Sequence, residues 1–229
     1  YTVVTSNESA DLDYTATTAL GAGTSIRDAA LNDATRTLAS PGQANSLGAN
    51  KALVIDAELI SVNSVSSTKT DGSYKEGVEI DVTVTLSEIA NVNTTGGTPR
   101  ITLETGDNDA TVDYTSGTAS NTLTFKYTVA AGHTSGDLDY QSTTAFVLNN
   151  GTITDPTTGT NAVLTLPALG GANSIAGQKN LIIDTTPPTV DFVSSNKDNG
   201  YYNAATQIPL VIDFSENVVV TGSPSINLE

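Results

Sequence analysis

The sequence repeats itself, and no other feature constrains its fold as strongly. Asp11-Leu12-Asp13-Tyr14 returns as Asp137-Leu138-Asp139-Tyr140, and Tyr1-Thr2-Val3 returns as Tyr127-Thr128-Val129 at the same spacing. Asn45-Ser46-Leu47 through Lys51 to Val54-Ile55-Asp56 returns as Asn173-Ser174-Ile175 through Lys179 to Ile182-Ile183-Asp184, at a spacing longer by two positions. Two residues are therefore inserted between these matches, and the expected point is Pro167-Ala168-Leu169-Gly170-Gly171 in place of Pro41-Gly42-Gln43. A third copy follows, in which Ile212-Asp213-Phe214-Ser215-Glu216 matches Val84-Thr85-Leu86-Ser87-Glu88. It continues as Ser223-Pro224-Ser225-Ile226-Asn227-Leu228-Glu229, matching Thr98-Pro99-Arg100-Ile101-Thr102-Leu103-Glu104. Matches in one order at nearly one spacing are not chance. A unit this long exceeds the roughly 20–50 residues of a solenoid repeat, so each copy is expected to be a domain of its own.

The expected division is residues 1–57 as the second half of one repeat, 58–188 as a complete repeat and 189–229 as the first half of the next, so that both ends fall mid-repeat. The boundaries follow Asp56 and Asp184. After the second stands Thr185-Thr186-Pro187-Pro188. Paired prolines cannot donate to a ladder and favour a stiff extended conformer, which suits a linker between rod-like units. Ala57-Glu58-Leu59 at the first boundary lacks that stiffness.

Within the complete copy the apolar residues alternate. Val78-Glu79-Ile80-Asp81-Val82-Thr83-Val84-Thr85-Leu86 sends Val and Ile to one face and acids and Thr to the other. Arg100-Ile101-Thr102-Leu103-Glu104 and Thr122-Leu123-Thr124-Phe125-Lys126-Tyr127-Thr128-Val129 do the same, and Leu181-Ile182-Ile183 reads as a buried closing strand. Asp71-Gly72, Gly96-Gly97, Asp107-Asn108-Asp109, Ser116-Gly117 and Asn150-Gly151 supply the turns. Such a series predicts an all-β fold, an antiparallel β-sandwich of immunoglobulin-like architecture repeated in tandem, although the Cys and Trp of antibody domains are absent. Residues 140–175 show the weakest pattern and are expected to hold an extra hairpin. In the third copy the first two strands and part of a third are expected.

The motifs as a set resemble a known family. Ser-Glu after an alternating strand is followed by Gly97-Thr98-Pro99-Arg100-Ile101-Thr102-Leu103-Glu104, then Leu123-Thr124-Phe125-Lys126-Tyr127-Thr128-Val129. Asp137-Leu138-Asp139-Tyr140 and a closing Ile183-Asp184-Thr185-Thr186-Pro187-Pro188 complete the pattern, which resembles the Ig-like or cadherin-like repeats of giant bacterial surface adhesins. The resemblance covers essentially the whole chain. It implies an extracellular stalk at the cell surface, commonly stiffened by Ca²⁺, whose partners are neighbouring repeats of the same chain.

Charge agrees with a cation as counterpart. Twenty-five acidic against nine basic side chains leave a net charge of −16. Phosphate backbones and anionic headgroups are held by Lys and Arg, so nucleic acid and anionic membrane surfaces are poor partners. No apolar run approaches the roughly 20 residues of a membrane span, so no direct membrane insertion is expected. Hard oxygen ligands favour Ca²⁺. With odd strands running to one pole of the sandwich, the loops holding Asp71, Asp107 with Asp109, and Asp137 with Asp139 gather there. Asp184 at the end of the last strand joins them, and Glu216 approaches from the following module. These seven are the candidate metal ligands. The liking of turns for Asp accounts for the same pattern without an ion, and acidity for its own sake keeps a secreted protein soluble.

Other chemistries find little support. There is no cysteine, hence no disulfide, thiol nucleophile or Cys-based zinc site. Asp107-Asn108-Asp109 lacks the Gly and distal Glu of an EF-hand. His133, the single histidine, lies after Ala130-Ala131-Gly132 and is expected to be solvated. The acidic positions recur from copy to copy, and a stalk has no use for an active site in each unit; the chain is read as not an enzyme. Two other readings remain: a carbohydrate- or ligand-binding accessory module of a secreted enzyme, and a subunit of an extracellular filament or sheath that contacts other copies. Trp is absent and aromatics are 5%, which disfavours a stacking platform for sugars.

Overall fold

The computed structural model describes residues 1–4, 6–21, 23 and 25–229. Two short strands open the chain, β1 (Glu8–Ser9) and β2 (Ile55–Asp56), with the one-turn helix α1 (Leu47–Asn50) between them. The central part holds β3 (Val62–Ser67), β4 (Gly72–Tyr74), β5 (Glu79–Asn93), β6 (Arg100–Leu103), β7 (Ala110–Ser116) and β8 (Ser120–Thr128). After them come β9 (Thr134–Ser135), β10 (Phe146–Val147), β11 (Thr152–Thr154), the one-turn helix α2 (Ile175–Gln178) and β12 (Leu181–Asp184). Strands β13 (Val190–Ser195) and β14 (Leu210–Phe214) form a terminal hairpin.

The fold is an all-β sandwich. The larger sheet runs β10-β6-β7-β8-β5-β11, with β3 also paired to β5, and all its pairings are antiparallel. The smaller sheet is β4-β12-β9, in which β12 runs parallel to β4. Alternation positions the core. Ile80, Val82, Val84 and Leu86 of β5 are buried, and they meet Leu123, Phe125 and Tyr127 of β8 and Ile101 and Leu103 of β6. From the smaller sheet Leu181 and Ile183 close over them. Phe125 makes edge-to-face contacts with Tyr114 and Phe146, at 6.0 and 5.4 Å between centroids. Among the described residues every buried apolar side chain lies between Ile60 and Ile183.

Strand β5 is longer than the alternation predicts. It pairs with β3 and β8 up to Leu86, shifts register before Ala90, and then pairs with β11 through Asn91–Asn93. A bulge of this kind bends a strand and lets it serve two parts of a sheet. The extra hairpin expected in residues 140–175 is a short one: after β11 the chain turns back so that Thr154 faces Asn161 in an antiparallel bridge, with Asp155 N–H donating to Thr160 O and Ala162 N–H to Ile153 O. On the larger sheet β10 pairs with β6 and β11 with β5, at its opposite ends. Asn149 and Asn150, both at positive φ, turn the chain between them, and the Asn149 amide donates to Thr98 O. Gly97 admits this close approach, since a Cβ there would sit 1.9 Å from Asn149 O.

The flanking segments reproduce many of the central contacts. The β13–β14 register, from Val190↔Phe214 to Ser195↔Leu210, is that of β3–β5 carried forward by the spacing from Asp56 to Asp184, including the irregularity after its first pair. The Ser195 hydroxyl donates to Pro209 O at 2.7 Å as Ser67 does to Asp81 O, and Lys197 lies over Tyr202 as Lys69 lies over Tyr74. Tyr14 donates to Ala39 O as Tyr140 donates to Pro167 O, each at 2.6 Å. What differs is burial. Ile212 is 41% exposed where Val84 is 0%, and Leu53 is 41% exposed where Leu181 is 0%. Residues 225–228, corresponding to β6, form no strand, because β6 is held by β7 and β10 on either side.

These bonds also relocate the inserted residues. Leu38 N–H donates to Thr17 O as Leu166 does to Thr143 O, so the spacing has already lengthened before Pro167 is reached. One of the two residues enlarges the turn closed by Asp155 N–H to Thr160 O, relative to Asp28 N–H to Asn32 O.

Candidate metal centre

Among the described residues, ligand-capable side chains converge in threes at one place: Asp56, Glu88 and Asp155 each place a carboxylate oxygen within 4.8 Å of the others. Asp56 ends β2. Glu88 sits at the irregular part of β5, and Asp155 follows β11. Oxygens surrounding a Ca²⁺ at 2.3–2.6 Å are at most about 5 Å apart, so the spacing suits such an ion. The groove beside the cluster, about 480 Å³, is also lined by Ser87, Asn121 and Thr157.

Electrostatics make the place costly without a counterion. Burial, and then the charges of Asp56, Asp155, Glu58 and Glu8, push the Glu88 carboxyl above the usual carboxylate range. Asp155 goes the other way. Its Oδ1 accepts from the N–H groups of Thr157 and Thr158, both at 2.6 Å, and these bonds outweigh its burial and hold its carboxyl below the ordinary value. A fixed anion thus stands beside one that resists ionising. A divalent cation would relieve both.

None of the seven expected ligands belongs to this cluster. Asp139 is buried and its carboxylate accepts from the N–H groups of Tyr140, Gly170 and Ile175, which makes it the clasp of a loop. Asp13 does the same for Tyr14 and Gly42. Asp71 accepts from Asn180 N–H and Asp137 from Leu181 N–H, so both tie β12 to its neighbours. Asp109 accepts from Thr105 N–H, within a loop that the Thr105 hydroxyl closes on Asn108 O; Asp107 beside it is exposed. Asp184 accepts from Thr186 N–H. Glu216 is exposed in the third segment.

The link to the observed cluster is the repeat. Moving Asp184 and Glu216 back by one repeat gives Asp56 and Glu88. Two of the three carboxylates at the first boundary thus occupy the positions that Asp184 and Glu216 hold at the second, and Asp155 is the third. Asp155 was legible as the start of Asp155-Pro156-Thr157-Thr158, a sequence that favours side-chain-capped turns, but it lies in the stretch with weakest alternation.

His133 is not solvated as expected. It is half-buried, stacked on Tyr127 with ring centroids 5.7 Å apart, and hydrogen-bonded to the Tyr127 hydroxyl. Among the described residues no helix is long and apolar enough to cross a membrane. No protein family, curated protein or solved structure matches the chain.

Proposed function

We propose that this chain is part of the stalk of a large bacterial cell-surface adhesin, built of tandem Ig-like modules in an extracellular setting, with Ca²⁺ stiffening the joints between them and no catalytic role. The observation that carries this reading is the position of the carboxylate cluster. Asp56 ends one copy, while Glu88 and Asp155 belong to the next, so an ion held by all three would tie two copies together. Recurrence of the same hydrogen bonds and the same strand register from copy to copy supports it, as does the net charge of −16.

Calorimetric melting in EDTA and in millimolar Ca²⁺ tests the proposal. Extracellular modules hold Ca²⁺ with dissociation constants of about 10⁻⁴–10⁻³ M. An ion at one hundred times its dissociation constant adds roughly 2.7 kcal/mol, which a melting temperature registers. The Asp56→Asn, Glu88→Gln double variant should melt alike in both buffers and stay folded. Identical curves for the unaltered chain would retire the calcium reading.

A further inference from the structure

Asn7 and His133 fill the same place in two turns one repeat apart. In the first, Asn7 N–H donates to Val4 O at 3.0 Å, and Asn7 Oδ1 accepts from Val4 N–H at 2.9 Å and from the Tyr1 hydroxyl at 3.0 Å. In the second, His133 N–H donates to Ala130 O at 3.2 Å. His133 Nδ1 lies 3.3 Å from Ala130 N and 2.9 Å from the Tyr127 hydroxyl. A backbone N–H can only donate. Nδ1 must therefore be a bare lone pair, and the ring proton of a neutral imidazole sits on Nε2. Burial pushes the Tyr127 phenol up to about 12, so its hydroxyl keeps its proton.

The second turn is also fastened to the chain that leaves the sandwich. Gly132 N–H donates to Thr185 Oγ1 at 3.1 Å, and the Thr185 hydroxyl donates to His133 O at 3.0 Å. Thr185 is the first residue after β12 and opens Thr185-Thr186-Pro187-Pro188. Among the described residues the first turn has a backbone tie there, Ala57 N–H to Asn7 O at 3.2 Å.

We propose that His133 is a proton-operated latch on the segment 185–188, and that Asn7 is its proton-insensitive counterpart. Protonation turns Nδ1 from acceptor to donor. Ala130 N–H then loses its acceptor and faces another N–H, and the Tyr127 hydroxyl must turn round to accept. The amide oxygen of Asn7 undergoes no such change. Among side chains, imidazole is the one whose ordinary titration falls between pH 5 and 8. Two charged groups line the groove beside the ring, Asp113 and Lys126, each in its own ion pair with Arg100 at 2.9 Å and with Glu79 at 3.0 Å. Glu104 and Asp184 line the neighbouring groove at Thr134, where they accept from Gly106 and Thr186 N–H. Among the described residues no carboxylate bonds the ring. The acceptor role of Nδ1 is thus what its protonation removes. This inference stands apart from the calcium reading.

The test uses the 229-residue chain in EDTA. Imidazole ¹⁵N spectra at pH 8 should place the proton on Nε2. Amide hydrogen exchange, corrected for intrinsic rates, should show protection at Ala130 and Gly132 falling about fivefold between pH 8 and pH 5, the loss of one ordinary hydrogen bond. Val4 and Ala57 should keep theirs. His133→Asn should hold its protection at both pH values, and Asn7→His should acquire the loss at Val4. Any of four results would overturn the proposal: a proton on Nδ1 at pH 8, unchanged protection at Ala130 and Gly132, a loss that survives His133→Asn, or a first turn that stays insensitive in Asn7→His.

Discussion

Glu8 stands directly across the β1–β2 ladder from Asp56, so two carboxylates face each other where the chain leaves its first segment. At the corresponding place in the next copy Thr134 faces Asp184. Like charges directly opposite destabilise a pair by roughly 0.2–1 kcal/mol. Glu8→Thr should accordingly raise the melting temperature in EDTA and narrow the difference between EDTA and Ca²⁺. A variant that melts lower in EDTA would show that the facing charges carry no strain.

Glu88 offers a readout of the cluster that needs no variant. Its carboxyl titrates above the ordinary glutamate range, through burial first and then the acids around it. A raised carboxylate value means that the folded state binds the proton more tightly. The stability Glu88 contributes is therefore full below its unfolded value of about 4.3 and is lost as pH rises through the raised folded one. In EDTA a ¹³C titration of the Glu88 carboxyl should show a midpoint above the usual range, and added Ca²⁺ should bring it down. A midpoint indifferent to Ca²⁺ would mean that the ion binds elsewhere or not at all.

Asp13 should behave in the opposite sense. Its burial resists ionisation, but bonds from Gly42 and Tyr14 N–H, the Ser46 side chain and Gly48 N–H outweigh that and hold it at about 2. The stability it lends is present above the ordinary aspartate value of about 3.9 and disappears as pH falls through about 2. A titration midpoint near the ordinary aspartate value would indicate that the clasp is open in solution.

Tyr140 and Tyr14 make the same hydrogen bond in different company. Tyr140 is fully buried and Tyr14 is not. Tyr140→Phe removes a buried donor from Pro167 O and should cost about 0.5–1.5 kcal/mol in urea unfolding, the ordinary net contribution of one hydrogen bond. Tyr14→Phe should change that transition little. Equal costs would mean that the first segment is buried in solution to the same degree.

The strands of the core were readable because their alternation keeps period two along a whole strand, as in Glu79–Leu86 and Thr122–Val129. The bend in β5 was not, because Ile89, the one large apolar residue between Leu86 and Val92, is exposed on the bulge while Ala90 is buried. Strands β10 and β11 escaped for a different reason. They are very short, and tertiary contacts such as Asn149 with Thr98 position them. Among the acids, the sequence could not separate a carboxylate that clasps backbone N–H groups, such as Asp139, from one that faces other carboxylates, such as Glu88. Both occupy turn-like or strand-end positions, and the difference lies in which loops the fold brings near.

The hairpin of β13 and β14 adopts its register, irregularity included, with no apolar core against it. The two strands find each other within the span 190–214, so their pairing requires no partner distant in sequence. For a polypeptide whose neighbouring stretches are so alike, this has a consequence for biogenesis. A strand that emerges from the ribosome can find its own partner a short loop away, long before the look-alike strand of the adjacent stretch arrives. Close-range pairing is also the fastest kind, because little chain must be closed into a loop. The order of emergence then guards against exchange of strands between adjacent copies, the characteristic misassembly of repetitive proteins.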